Sequence, residues 1–252
     1  MTDFLHSDIL SNIDVMRTYI NELNKALPCT LGQLIEKAHT ISPTLKNFCA
    51  NNDLKVHMGK DKGLIGKKIE FNIFGRLPNN DSEPDTAFGD IKATHIKTCG
   101  TGFNAKERLT LTNCGSSSDY STFQHILDSV KLEDSPRYKK IQTGILCVLE
   151  HNTAVTNNMD TIVRFLFRYD IHELSSDIYD VLKKDYQKIR ECVQNKAVSQ
   201  KGQIYLHIHP HGAGHGSGTR AFGFTSKFVT TLISHYGRVP LEKKGKSLYV
   251  NI

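Results

Sequence analysis

SEPDTAFGDIKATHIK, residues 82–97, places two aspartates and a lysine where a strand is predicted to begin. The strand is expected over residues 86–98, and alternate residues of a strand face the same side. The carboxylate of Asp90 and the ammonium of Lys92 should therefore point into one space, which Asp85 can reach from the preceding loop. Paired carboxylates hold hard cations such as Mg²⁺, and a neighbouring lysine can stabilise charge on a phosphate. The same pattern also forms ordinary surface salt bridges, so a structural role remains the alternative.

A third carboxylate belongs to the helix predicted for DKGLIGKKIEFNIFG, residues 61–75. The apolar line of this helix, at i, i+4 and i+8, consists of Ile65, Ile69 and Ile73. Glu70 falls on a neighbouring line with two glycines, which leaves room for a ligand to approach it. Lys62 stands at the start of the helix, and Gly75 is predicted to end it.

Outside these stretches, the hydrophobic pattern predicts a protein of mixed α and β structure. Helices are expected over 3–27, from Thr30 along CTLGQLIEKA, from about Thr44, over most of 158–198 and over 225–235; strands are expected over 108–113, over 143–152 and on both sides of the glycine-rich turn within 203–224. Helices grouped at both ends favour an α/β or α+β fold, with a mixed sheet flanked by helices. We expect an N-terminal helical extension at 1–27 and two lobes, at 28–155 and at 156–252, the second with a C-terminal helix.

Composition and charge indicate a globular cytoplasmic protein. The 252 residues are 38% hydrophobic, and the formal net charge of +6 permits nucleic-acid binding. No apolar run approaches the roughly 18–20 residues of a membrane span. The six cysteines are scattered without a CxxC pair, which argues against a zinc knuckle and favours free thiols in a reducing cytosol. The N-terminus has early acidic residues and no continuous apolar block, so we do not expect a secretory signal.

A histidine run occupies LHIHPHGAGHGSG, residues 206–218. Three interpretations remain open. A zinc site would lack a nearby cysteine or acid to complete its ligands, and buried histidines that bond the backbone would have only a structural role. We favour DNA contact, with an affinity that rises as the pH falls through the histidine range. The candidate contact residues are His207, His209, His211, Arg220 and Lys227, and Arg220 suits guanine or phosphate best.

Together these segments resemble the MutH family, which comprises the mismatch-repair nicking endonuclease and related type II restriction enzymes that cut at GATC. TLGQLIEKA, KDKGLIGKKIEFNIFG and EPDTAFGDIKAT look like the family's N-terminal half, in which a helix with a K-G-x-x-G-x-x-x-E pattern precedes an Asp and an E-x-K on strands. YLHIHPH resembles the family's strand that ends in Arg-Pro-Lys, and FGFTSKF resembles its closing G-F-Y motif. The likeness covers roughly residues 28–100 and 175–235. It implies a PD-(D/E)xK nuclease fold with two lobes around a DNA cleft, in which 28–155 would be the catalytic lobe and 156–252 the recognition lobe.

Carried over to this sequence, the family motif implies a role for each matching residue. Asp85 and Asp90 become the first and second Mg²⁺ ligands, and Glu70 becomes the helix acid that orients or ligates through water. Lys92 becomes the catalytic lysine, and Lys62 becomes a phosphate-binding or active-site lysine. The implied reaction is attack of water on a DNA phosphodiester, which leaves 5′-phosphate and 3′-hydroxyl ends.

The chain also departs from the family pattern. Asp90 replaces the family's Glu, and the spacing from Asp85 is two residues shorter, which implies a tighter turn with Asp81 as a substitute ligand. His209 and His211 stand where the family has Arg and Lys. These last two changes concern base recognition rather than hydrolysis.

The resemblance implies a type II restriction endonuclease that cuts GATC or a related short palindrome. Such an enzyme would act as a homodimer at least on DNA, because a double-strand cut needs two active sites, and a cognate DNA methyltransferase is expected in the same host. The altered recognition strand and the extra N-terminal helix favour this reading over a strand-nicking enzyme of mismatch repair. A non-catalytic DNA-binding protein and a zinc-binding protein are the remaining alternatives.

Overall fold

The computed structural model describes residues 4–54, 63–77, 84–198, 201–212, 217–245 and 247–252. The chain forms two compact units, of which the first combines Met1–Lys97 with Thr143–Tyr169 and the second combines Thr98–Gln142 with Asp170–Ile252. The sequence-based division into an extension, a catalytic lobe and a recognition lobe concerned function and stays a prediction.

Helices and strands are interspersed along the described chain, with helices prevailing before residue 90. The helices are α1 His6–Ser11, α2 Ile13–Asn24, α3 Leu31–Ile41, α4 Pro43–Asn51, α5 Leu64–Phe74, α6 Gln124–Asp128, α7 Lys139–Gln142, α8 Ser176–Gln194 and α9 Ser226–Gly237. The strands are β1 Cys29–Thr30, β2 Asp90–Cys99, β3 Gly102–Ala105, β4 Leu109–Ser116, β5 Thr143–Glu150, β6 Ile162–Asp170, β7 Leu206–Pro210, β8 Thr219–Phe224, β9 Leu241–Lys244 and β10 Ser247–Val250. Short 3-10 turns lie at Tyr120–Phe123, Leu132–Asp134, Asn158–Asp160 and Ile171–Glu173.

These elements confirm a mixed α/β protein with a mixed sheet flanked by helices. Within the described residues that sheet has seven strands, four in the first unit in the order β1-β6-β5-β2 and three in the second in the order β3-β10-β9. β2 runs parallel to β5, with Asp90 opposite Gly144, and β1 runs antiparallel to β6. The second unit also holds a separate antiparallel sheet, β4-β8-β7.

The single helix predicted over 3–27 is wrong, because the chain forms α1 and α2 with a break at Asn12. The Asn12 side chain accepts hydrogen bonds from the backbone N–H groups of Asp14 and Val15 at 3.0 and 3.3 Å. Asn12 therefore caps a new helix instead of continuing the first one.

The helical prediction for 158–198 is also wrong at its start, where the chain forms β6. Ile162 and Val163 pair with Thr30 and Cys29 of β1. Branched and aromatic side chains dominate this stretch, and a short apolar run of that kind fits a buried strand as well as a helix. Helix α8 begins only at Ser176.

Predicted start and stop signals hold for the other helices. Thr30 and Gln33 form a reciprocal capping box at the start of α3. Gly75 ends α5 in the left-handed conformation, with a φ of +65°. Thr225 caps α9 by accepting from the Phe228 N–H. The strands predicted on both sides of the glycine-rich turn are β7 and β8.

The core of the first unit lies between the N-terminal helices and one face of β2, β5 and β6. The strand residues in this core include Ile91, Ile145, Cys147, Leu149 and Val163. Because neighbouring residues of a strand face opposite sides, Asp90 and Lys92 lie on the other face of β2.

All six cysteines are free, as their scattered spacing predicts. Among the described residues, none of the helices combines the length and apolar character needed to cross a membrane.

Candidate active site

A tight turn brings Asp85 back against the start of β2. The backbone groups of Thr86 and Gly89 exchange two hydrogen bonds, of 3.1 and 3.3 Å, and the Thr86 hydroxyl donates to the Gly89 carbonyl at 2.8 Å. Gly89 has a φ of +109°, and a Cβ there would lie 2.1 Å from the Thr143 carbonyl oxygen, so only glycine fits. This turn replaces the first four residues of the strand predicted over 86–98, which begins at residue 90 instead.

The turn assembles two aspartates and a lysine into one ionic group. The Asp90 carboxylate accepts from the Asp85 backbone N–H at 3.3 Å and pairs with the Lys92 ammonium at 2.9 Å. The Asp85 carboxylate accepts from the Ile91 N–H at 3.0 Å. Asp90 is 2% exposed, whereas the Lys92 side chain is 25% exposed. The alternation of β2 thus brings the two side chains together as predicted, with the ammonium the more accessible of the two.

Glu70 on α5 lies within electrostatic reach of this group. Burial first, and then the carboxylate of Asp85, raise the pKa of Glu70 to about 7. Asp90 adds to the rise, while Lys92 and Lys67 oppose it. The three predicted acids and the predicted lysine are therefore neighbours, although they come from a helix, a turn and a strand. A carboxyl group with a pKa near neutrality can exchange a proton at physiological pH.

Side chains of the four N-terminal helices hold the end of the helix that carries Glu70. The last carbonyls of a helix have no partner within the helix itself. In α5 the Phe71 carbonyl accepts from Cys49 Sγ at 3.4 Å, and the Asn72 carbonyl accepts from His39 Nε2 at 3.1 Å. The Ile73 carbonyl accepts from the Tyr19 hydroxyl at 2.6 Å, and the Gly75 carbonyl accepts from His6 Nε2 at 2.8 Å. The N-terminal helices are thus part of the support of the site.

The acids fit the donor set that Mg²⁺ prefers. Mg²⁺ is usually held by one or two carboxylates together with waters and phosphate oxygens. In the described part of the chain, no set of three or more His, Cys, Asp or Glu side chains forms a ready metal cage. Asp85 and Asp90 both raise the pKa of Glu70, so the electrostatic potential at the Glu70 carboxyl is negative. A divalent cation bound there would neutralise this potential.

Two residues near the site escaped the sequence analysis. Lys67 acts on Glu70 from the same helix, and its spacing of three residues is the signal that could have revealed it. Tyr169 packs against Gly144, the register partner of Asp90; a Cβ on that glycine would lie 2.8 Å from the phenol ring. No local signal pointed to Tyr169, because its segment was assigned to a helix. Lys62 and Asp81 lie outside the described residues.

The histidine run lies in the second unit, on β7. His209 is 3% exposed, and its Nδ1 donates to the Pro210 carbonyl at 2.9 Å. Its Nε2 lies 3.4 Å from the Thr110 hydroxyl, from which it can accept. Burial is the main cause that lowers the pKa of His209. Burial, and then His209 and Arg108, lower the pKa of His207 to about 4. Both imidazoles are therefore harder to protonate than a free imidazole, which argues against them as the source of a DNA affinity that rises in mildly acidic solution.

The other predicted contact residues differ in exposure. His211 and Lys227 are exposed. Arg220 is 9% exposed, and its Nη1 donates to the carbonyls of Ser217 (2.7 Å), Gly218 and Thr219 (both 3.1 Å), so it braces the glycine-rich turn. His215 lies outside the described residues.

Asp185 of α8 holds the segment that leads into β7. Its carboxylate is almost fully buried and accepts from the backbone N–H groups of Ile204 at 2.9 Å, Tyr205 at 2.6 Å and Leu206 at 3.0 Å. Three bonds to one carboxylate place the start of the strand, and with it the histidines, relative to the helix.

No protein-family model matches this chain, and no curated protein matches it in sequence.

Proposed function

We propose that the protein is a Mg²⁺-dependent, site-specific DNA endonuclease of the MutH-like PD-(D/E)xK type. The observation that carries the proposal is the meeting of Glu70, Asp85, Asp90 and Lys92, which join from three separate segments. Lys92 lies 2.9 Å from Asp90, and both aspartates and Lys92 act electrostatically on Glu70. A surface salt bridge alone would not need a third, perturbed carboxyl group.

Each residue of the group has a task in such a reaction. Lys92, held by Asp90 and partly open to solvent, would orient the attacking water and stabilise the negative charge that develops on the phosphate. Glu70, with a pKa near 7, would accept a proton from that water or hold it in place. Asp85 is fixed by the Ile91 N–H, which holds its carboxylate next to Asp90.

Asp85 and Asp90 would hold Mg²⁺, with Glu70 beside them or bound through water. The ion would neutralise charge on the phosphate and lower the pKa of a bound water. Asp90 has one methylene fewer than the Glu of the family, and the closed turn at Thr86 and Gly89 shortens the path between the two aspartates accordingly.

The DNA side of the proposal keeps the restriction-enzyme reading. As a restriction enzyme, the protein would cut a short palindrome such as GATC and act as a homodimer on the DNA. The host would also carry a cognate DNA methyltransferase. The DNA contacts predicted from the sequence are His207, His209, His211, Arg220 and Lys227, of which His211 and Lys227 are exposed. His209 and Arg220 are buried and would contribute by holding the strand and the turn in place.

Incubation of the protein with unmethylated plasmid and Mg²⁺ tests the proposal, with the cut ends sequenced. We expect linear products with 5′-phosphates at one repeated site, and none in EDTA. Open circles alone would favour the strand-nicking alternative. Lys92→Ala should abolish cutting, because it removes the ammonium from the phosphate.

Lys97→Ala is the matched control. Lys97 is exposed and lies on the same strand, but the alternation of β2 turns it to the opposite face. Absence of cutting by the wild-type protein, or equal cutting by Lys92→Ala, would reject the proposed function.

A further inference from the structure

The sheet β4-β8-β7 of the second unit has two unlike faces. On one face, the Phe222 ring stacks with Tyr186 of α8 at 6.4 Å between centroids, and Phe224 meets Phe228 of α9 at 4.6 Å. That face is therefore covered by helices. The residues of the other face alternate with these aromatics.

Polar side chains form the two walls of this second face. In one row, Thr110 of β4 pairs with Gly223 of β8, which pairs with His207 of β7. In the next row, Asn113 pairs with Ala221, which pairs with His209. In these two rows the middle strand contributes only a hydrogen and a methyl group. Gly223 and Ala221 are nevertheless buried, so the strip between the walls, called the trough here, is covered.

The imidazoles that the sequence favours are enclosed in this trough. The His209 ring lies over the middle strand, since a Cβ on Gly223 would be 2.7 Å from its Nε2. Both of its nitrogens have partners, Pro210 and Thr110. His207 Nε2 is buried and has no hydrogen-bond partner among the described residues. The two nitrogens of His209 are therefore committed within the trough, whereas His207 keeps one buried nitrogen without a hydrogen bond among the described residues.

Two exposed side chains, one on β4 and one immediately before it, remain available to a ligand. Asn113 lies in the second row, and Arg108 precedes the strand on the parity of Thr110. Arg108 is close enough to act electrostatically on both His207 and His209. Within the described chain, no carboxylate pairs with Arg108.

We propose that Arg108 and Asn113 are specificity-determining residues of the nuclease and that they read purine edges of the duplex across this face. A guanidinium matches the O6 and N7 of guanine, and a carboxamide matches the N6 and N7 of adenine. The positive charge of Arg108 and the exposure of both side chains suit the approach of DNA. Exposed His211 at the end of the trough adds a weaker contact. This inference rests on the proposed function.

Selection of duplexes from a random pool tests the inference, with binding measured in the Lys92→Ala background so that cutting does not interfere. The Lys92→Ala protein should select a motif that contains one guanine position contacted by Arg108 and one adenine position contacted by Asn113. Asn113→Ala should lose its preference for adenine at one position, by roughly 5- to 150-fold. Arg108→Lys, which keeps the charge but loses the planar fork, should relax one guanine position and retain affinity for random duplex.

Lys184→Ala and Asn195→Ala serve as controls: Lys184 is exposed on α8, Asn195 is exposed at the C-cap of this helix, and α8 packs on the opposite face of the sheet. An unchanged motif in Asn113→Ala and Arg108→Lys would overturn the inference while leaving the nuclease standing. A motif that changes equally in the two controls would also overturn it. A wild-type protein that neither cuts nor selects DNA would instead reject the proposed function itself.

Discussion

Ionisation of Glu70 is unfavourable in the folded protein, so this residue makes the free energy of unfolding depend on pH. Its carboxyl group has a pKa of about 7 in the folded protein, against 4.5 for an unperturbed group. Between these two values the unfolded chain ionises Glu70 while the folded protein keeps it protonated. The contribution of Glu70 to folding is therefore neutral below about pH 4.5, becomes unfavourable as the pH rises to 7, and stays constant above.

Glu70→Gln should accordingly stabilise the protein above pH 7 and change little at pH 4.5. The pKa difference corresponds to a gain of up to about 3 kcal/mol at pH 8. Urea unfolding of both proteins at several pH values, without metal, measures the effect. A gain that is equal at all pH values would contradict the assigned pKa, and a loss at pH 8 would show that the carboxylate is stabilising.

The same comparison in the presence of Mg²⁺ links the residue to the proposed site. Ion binding favours the folded state in proportion to its affinity, and Glu70 belongs to the ligands or lies beside them. Mg²⁺ should therefore raise the melting temperature of the wild-type protein more than that of Glu70→Gln.

At the scale of elements, the turn before β2 decides where the two aspartates stand. Gly89→Ala would place a methyl group 2.1 Å from the Thr143 carbonyl oxygen in addition to straining the positive φ. We expect a loss of about 3 kcal/mol or more in the free energy of unfolding, together with loss of cutting, because the turn opens. Chemical denaturation and the plasmid assay measure both effects.

Gly100→Ala is the matched control for this substitution. Gly100 also has a positive φ, of +63°, but a Cβ there meets nothing within 4 Å. It should cost only the backbone strain, about 1 kcal/mol. Equal losses for the two variants would mean that the contact with Thr143 is unimportant.

Local patterns predict much of the element order and the heart of the site. The strand period alone predicts that Asp90 and Lys92 meet, and glycine and threonine signals predict the ends of α5 and the starts of α3 and α9. The segment of β6 misled the analysis because its apolar run fits either period. Contacts between distant residues, such as that of Tyr19 with Ile73, have no local signature at all.

At the scale of the whole molecule, the net charge of +6 would favour the proposed association with DNA. Each phosphate that a lysine or arginine neutralises releases counterions, so affinity falls as salt is added. The affinity of Lys92→Ala protein for random duplex should drop by at least roughly tenfold between 50 and 200 mM salt. Fluorescence anisotropy measures this slope, and a flat titration would speak against DNA as the partner.

The four side chains on the end of α5 also affect how the chain can be divided. Tyr19 and His6 come from residues 1–27, yet they satisfy the carbonyls of Ile73 and Gly75 at the end of α5. A fragment that begins at residue 28 would leave both carbonyls in need of new partners. We therefore expect that deletion of residues 1–27 destabilises the protein. The same residues, supplied as a separate peptide, should restore the stability that the deletion removes.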